Sequence, residues 1–299
     1  MNAIAVLADE GHLDKTKQII YSSYVYGNWD GEYILLAHEV KNKNALNWFT
    51  ERGIHVVHIG ETVNVNHHFP KETSIYYSTL HLFHPDLARW NTIIYLDTDM
   101  IVRKDISHLL SYDGFAAAND CARFPLIHQF SPRERKCTAE EYEQRKLQLS
   151  AYNLQQTAFN AGMMVIDSKN NSPKRHSELM TLAAQYNPIS TYGDQGILNL
   201  YFQKNRQHIP YVYNDFYQSD DFNRQGIIRR FSDCNSVILH LTHPYKPWDK
   251  RSAYFREWAR NNEKAEQLFD AQQKGKKPSV WGTAWIEWVN DYNVRRLQM

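Results

Sequence analysis

Two aspartates one residue apart interrupt an apolar run at residues 93–102, Ile-Ile-Tyr-Leu-Asp-Thr-Asp-Met-Ile-Val. Alternate side chains of a strand point the same way, so Asp97 and Asp99 can present oxygens to one point. Two close, desolvated carboxylates repel unless a cation sits between them, which favours a hard divalent ion, Mn²⁺ or Mg²⁺, that also binds substrate phosphates. An Asp-X-Asp triplet alone is a weak motif, and its weight depends on partners. Phe159-Asn160-Ala161-Gly162 feeds a second buried run, and Gly162 permits close backbone approach. Gly193-Asp194-Gln195 opens a helical pattern with two side chains able to hydrogen-bond hydroxyl groups. His240 closes an apolar run at 237–241, followed by His243, Lys246 and Trp248. A neutral imidazole is a good third ligand for Mn²⁺, and a lysine ammonium is a point charge suited to a diphosphate.

Elements must hold these residues in place. Residues 3–8, 33–37, 54–59 and 93–96 read as strands buried on both faces. Between them, 14–26, 42–52 and 74–83 carry apolar residues at helical spacing. This βαβαβ order predicts an α/β fold with a parallel, doubly wound sheet and ligands at the carboxyl ends of the strands. Further strands are expected at 115–118, 163–166, 211–213 and 237–241, with helices around 138–156, 175–186 and 194–203. No repeat or flexible linker divides the chain, so one catalytic domain is expected over 1–250, with a helical extension over 251–299. The polar segment 131–148 reads either as a lid or acceptor-side insertion or as a solvated helix. In the tail, Trp281, Trp285, Trp288 and Tyr292 fall on one helical face flanked by Lys276, Lys277, Arg295 and Arg296. That face can meet an anionic membrane surface or pack on the domain.

Composition sets the outer bounds. With 34 basic and 33 acidic side chains among 299 residues, no broad basic face for nucleic acid is indicated. The apolar share of 42% with only 12 Gly and 10 Pro excludes disordered and low-complexity classes. Cys121, Cys137 and Cys234 have neither zinc-site nor disulfide-framework spacing. They read as reduced thiols, and with no leader-like start or spanning run they point to a cytoplasmic protein, at most peripheral on the inner membrane face.

Taken in order, Ala8-Asp9 after the first strand, Asp97-Thr98-Asp99, Asn160-Ala161-Gly162 with Asp194-Gln195, and His240 through Lys246-Pro247-Trp248 resemble glycosyltransferase family 8, the glycogenin and lipopolysaccharide galactosyltransferase group. The resemblance implies a GT-A fold and retention of anomeric configuration. It implies that Asp97, Asp99 and His240 hold Mn²⁺ against the phosphates of a UDP-sugar, and that Lys246 neutralises the leaving diphosphate. Ala8 and Asp9 would contact the base. Asp120 would meet the sugar or the acceptor, and Asn160, Asp194 and Gln195 the donor sugar, with Gln195 beneath its anomeric carbon. Three departures stand out: Thr79 where a Lys or Arg is usual, His243 in place of a Gly, and Gly196 in place of a common acidic residue. His243 can narrow the donor pocket, replace His240 as ligand, or cover it.

The function expected is Mn²⁺-dependent transfer of a hexose from a UDP-sugar to a hydroxyl of a glycan, of the surface-polysaccharide or lipopolysaccharide type. No side chain stands as an obvious nucleophile, which favours same-face attack with the leaving phosphate oxygen taking the acceptor proton. Asp194 is the second candidate, as an orienting group or nucleophile. Two other classes are weighed against this: a non-catalytic nucleotide-sugar or glycan binder, and a nucleotidyltransferase. The absence of a Gly-rich phosphate loop after the first strand counts against the latter.

Overall fold

The computed structural model describes residues 1–60, 71–120, 124–130, 137–216, 236–242 and 245–268. The tail aromatics, His243, the His67-His68 pair and the adjacent acids Asp220 and Asp221 lie outside the described residues.

The chain runs β1 (Asn2–Ala8), α1 (Leu13–Val25), β2 (Glu32–His38), a single turn α2 (Asn47–Thr50), β3 (His55–Ile59), a 3₁₀ helix (Lys71–Phe83), β4 (Thr92–Leu96) and β5 (Met100–Val102). It continues through β6 (Phe115–Asn119), α3 (Ala139–Gln148), β7 (Phe159–Asp167), α4 (Pro173–Tyr186), α5 (Asp194–Tyr201), β8 (Arg206–Ile209), β9 (Asp215–Phe216), β10 (Ile238–His240) and α6 (Phe255–Leu268). Seven strands form one sheet in the order β3-β2-β1-β4-β7-β6-β8, and β5-β10-β9 form a second.

The strands alternate between two cores, as a period of two requires. Ile4, Val6, Leu35, Ile94, Leu96, Met163 and Val165 pack on one side of the sheet. Ala5, Leu36, Tyr95, Phe115, Met164 and Ile166 pack on the other. Helix α1 has no side-chain cap at His12, a loss of about 1 kcal/mol. Burial of Leu13, Ile19 and Ile20, about 1.5–3 kcal/mol each, outweighs it. On its outer face α1 packs against α6, which is anchored by a buried ion pair between Arg103 and Glu257.

Several expectations need correction. The sheet is mostly parallel, as the GT-A resemblance implies, but not wholly so as the βαβαβ order suggests, because β7 runs antiparallel to both β4 and β6. A strand buried on both faces has the same composition in either direction, so sequence alone leaves its polarity open. β3 is an edge strand and only half buried. Residues 211–213, expected as a strand, form a 3₁₀ turn closed by the Tyr213 N–H on the Pro210 carbonyl. The helical segment at 74–83 is 3₁₀, and the one at 138–156 ends at Gln148 before a further 3₁₀ turn. The short strands β5, β8 and β9 carry too few residues to show a period.

Candidate active site and metal centre

The junction of the two sheets builds the site. β4 ends at Leu96, Asp97-Thr98-Asp99 crosses over, and β5 begins at Met100 in register with His240 of β10. The Leu241 N–H bonds the Asp99 carbonyl at 3.1 Å, and the Asp97 N–H bonds the Gly162 carbonyl of β7 at 2.8 Å. Two carboxylates and an imidazole remote in sequence are thereby fixed by backbone pairing.

One ligand atom from each of Asp97, Asp99 and His240 lies within 4.8 Å of the others. His240 Nε2 is 3.2 Å from Asp99 Oδ1 and 3.8 Å from Asp97 Oδ2. Tyr95, near the end of β4 and two residues before Asp97, donates its hydroxyl to Asp97 Oδ1 at 2.7 Å. Lys246 Nζ lies 2.5 Å from Asp99 Oδ2. Burial and the neighbouring Asp99 charge push the Asp97 carboxyl above its usual range. Burial would raise Asp99 too, but His240 and Lys246 outweigh it and hold that carboxyl well below.

The donor set fits a divalent cation. His240 is 1% exposed, and its Nε2 is buried with no hydrogen-bond partner, an expensive arrangement for a polar atom. Its Nδ1 donates to Asn214 Oδ1 at 2.8 Å, which turns Nε2 toward the carboxylates. A Cβ at Gly162 would sit 2.6 Å from both Asp97 Oδ2 and His240 Cε1, so only glycine leaves the triad room. Two carboxylates with one imidazole suit Mn²⁺ somewhat better than the all-oxygen preference of Mg²⁺.

Beside the triad lies a group of polar side chains joined by hydrogen bonds. Helix α5 starts at Gly193, whose φ of +59° suits glycine and whose missing Cβ would otherwise strike Tyr76. Asp194 and Gln195 are buried in its first turn. Asp194 accepts the Thr79 hydroxyl proton; burial and the Asp97 charge push its carboxyl up to about 7 against that bond. Thr79, expected where a cation is usual, thus serves Asp194. Gln195 Oε1 accepts from Asn160 Nδ2 at 2.9 Å and from the Ala161 N–H at 3.1 Å. Its Nε2 donates to Asp120 Oδ2 at 3.1 Å. At Gly196 a Cβ would meet Ser190 Oγ at 2.8 Å and the Phe130 ring at 3.2 Å, so an acidic residue there would not fit.

Ala8 ends β1 and is fully buried. Asp9 lies at the carboxyl end of the same strand, bonded to His12 Nδ1 at 2.7 Å. Trp248 packs edge-on against His12 and Trp258, with Lys15 Nζ 5.0 Å above its ring. Sequence reasoning missed Tyr95, Asn214 and Gln129. The spacing of Tyr95 from Asp97 was a usable signal; the other two had none.

The family model for glycosyl transferase family 8 matches residues 32–252. The chain belongs to that family. Among family relatives, glycosyltransferase GlyF of Streptococcus pneumoniae is 25% identical over 266 residues, covering 84% of this chain and 58% of the relative. Lipopolysaccharide 1,2-glucosyltransferase of Escherichia coli is 24% identical over 169 residues, 54% of this chain and 45% of that one. The chain thus spans about half the length of the curated relatives it matches. The galactosyltransferase LgtC, solved with donor and acceptor sugar analogs, superposes with a TM-score of 0.60 at 18% identity, over 93% of this chain and 98% of that one. The fold is therefore GT-A, with the antiparallel strand β7 set inside the otherwise parallel sheet.

Proposed function

We propose that the protein is a Mn²⁺-dependent retaining glycosyltransferase that moves a hexose or related sugar from a UDP-sugar to a hydroxyl of a lipopolysaccharide- or capsule-type glycan. The observation that carries this reading is the triad of Asp97, Asp99 and His240, with an unpartnered imidazole nitrogen facing two carboxylates beside Lys246. Family membership and the names of the bacterial relatives support transfer onto a glycan. The catalytic unit is taken as 1–250.

When bound, the divalent ion supplies positive charge to the departing diphosphate. Asp97, Asp99 and His240 would hold it. Lys246, with its side chain 44% exposed, can reach outward to a phosphate oxygen. Asp194 and Asn160 offer acceptors and donors to sugar hydroxyls. Gln195 Oε1 already accepts two hydrogen bonds, so it has no free lone pair with which to attack an anomeric carbon. We favour same-face attack over a double displacement through Asp194: the acceptor oxygen bonds to C1 as the C1–phosphate bond breaks, and the leaving phosphate oxygen takes the acceptor proton. Asp194 orients the sugar.

The test is UDP release across a panel of UDP-sugars in the presence of Mn²⁺. Release from a UDP-hexose is expected. Binding of UDP with no turnover of any donor would mark a non-catalytic binder, and pyrophosphate release from a nucleoside triphosphate a nucleotidyltransferase.

A further inference from the structure

Six polar side chains of the site form one chain of hydrogen bonds in which every donor points the same way. His240 Nδ1 donates to Asn214 Oδ1 at 2.8 Å, and Asn214 Nδ2 donates to Asn160 Oδ1 at 3.0 Å. Asn160 Nδ2 donates to Gln195 Oε1 at 2.9 Å, and Gln195 Nε2 to Gln129 Oε1 at 3.2 Å. Gln129 Nε2 ends the chain on Asp120 Oδ2 at 3.3 Å.

The direction is forced by the backbone. Amide oxygen and nitrogen are interchangeable in shape, but a main-chain N–H can only donate. The Gly162 N–H points at Asn160 Oδ1 at 2.9 Å and the Ala161 N–H at Gln195 Oε1 at 3.1 Å. Both atoms must therefore be oxygens, which turns Asn160 Nδ2 toward Gln195 and Gln195 Nε2 toward Gln129. At the other end Asn160 Oδ1 needs donors, so Asn214 presents Nδ2 to it and Oδ1 to His240. The imidazole proton is then assigned to Nδ1.

We infer that Asn214 and Gln129 are positioning residues of this site. Asn214, 1% exposed, holds His240 in the Nδ1–H tautomer, leaving the Nε2 lone pair toward Asp97 and Asp99. Gln129, 2% exposed, bridges Gln195 and Asp120 and keeps the Gln195 amide edge and the Asp120 carboxylate in line. A neutral amide suits both places, because it orients its neighbours without adding charge to a site that already holds four buried or half-buried carboxylates, Asp97, Asp99, Asp120 and Asp194. The inference rests on the proposed function for the identity of metal and donor, though the tautomer itself does not.

Nitrogen-15 NMR of histidine-labelled protein reads that tautomer directly, with His240→Ala giving the assignment. A proton on Nδ1 is expected; an unprotonated Nδ1 in the wild-type protein overturns the inference. Mn²⁺ affinity by electron paramagnetic resonance then separates the two ends of the chain. Asn214→Leu is expected to weaken Mn²⁺ roughly 10–100-fold, while Asn214→Asp, which still accepts from His240, keeps most of the affinity. Gln129→Leu is expected to leave Mn²⁺ binding unchanged and to lower kcat for donor hydrolysis roughly tenfold, with Gln129→Glu recovering part of it. Wild-type Mn²⁺ affinity in Asn214→Leu, or wild-type kcat and KM in Gln129→Leu, contradicts the assignment of that residue. If Asn214→Leu does not fold, the wild-type tautomer decides alone. Wild-type protein that neither binds Mn²⁺ nor releases UDP fails the proposed function, and the tautomer measurement still stands.

Discussion

Thr79 donates its hydroxyl proton to Asp194 Oδ2, joining the 3₁₀ helix to the first turn of α5 across 115 positions of sequence. The bond works against burial, which has pushed the Asp194 carboxyl up to about 7. Thr79→Val keeps the volume and removes the donor, so the carboxyl rises further, by about one pH unit for one lost hydrogen bond. The acidic limb of the pH profile for donor hydrolysis should move to higher pH by that amount. A limb that stays in place would show that Asp194 is not the group titrating.

Gly162→Ala probes the room around the triad. Its Cβ would overlap Asp97 Oδ2 and His240 Cε1, both at 2.6 Å. Mn²⁺ affinity should fall by an order of magnitude or more, while β7 keeps its pairing to β4 and the unfolding midpoint changes little. Isothermal titration with Mn²⁺ beside a urea unfolding curve separates the two effects.

The ion pair between Arg103 and Glu257 fastens α6 to the catalytic body. Its two contacts are 2.9 and 2.6 Å, and the side chains are 2% and 1% exposed. Glu257→Ala leaves a buried guanidinium without its carboxylate and should cost about 3–5 kcal/mol in urea unfolding. The double replacement Arg103→Met with Glu257→Leu should cost clearly less. Equal losses would mean that the cost lies in packing, not in unpaired charge.

Acid should loosen the outer side of the domain. His81 is pushed down from 6.5 to about 4 by burial and by His176, His84 and His38 around it. The unfolded chain therefore binds a proton in that window that the folded chain refuses. Stability is complete above pH 6.5 and is lost as pH falls toward 4, by on the order of 2 kcal/mol given the ring's partial exposure. Urea midpoints at pH 7.5 and 5 should differ less in His81→Gln than in the wild type.

What the sequence disclosed followed from local rules. Asp97 and Asp99 were readable as a pair of carboxylates interrupting an apolar run, though they converge from the turn between β4 and β5 and not from alternate positions of a strand, and His240 because it ends an apolar run. Their convergence is set by the β5–β10 register, which short strands do not announce. Asn214 and Gln129 were hidden for the same reason: their partners are brought to them by tertiary structure. Tyr211-Val-Tyr213 has the composition of a strand, yet Pro210 and the turn it closes decide otherwise. The reversed β7 and the Arg103–Glu257 pair belong to the fold alone. Gly196 was seen as a departure, and the Phe130 ring against it gives the reason.

One comparison tests the metal centre most directly: UDP release from the preferred donor, with and without Mn²⁺, in wild type and in Asp97→Ala, Asp99→Ala and His240→Ala. Each variant should lose at least about a hundredfold in rate, and excess Mn²⁺ should recover little of it. Wild-type rates in any of the three, or a wild-type rate indifferent to chelation, would contradict the metal centre on which the rest is built.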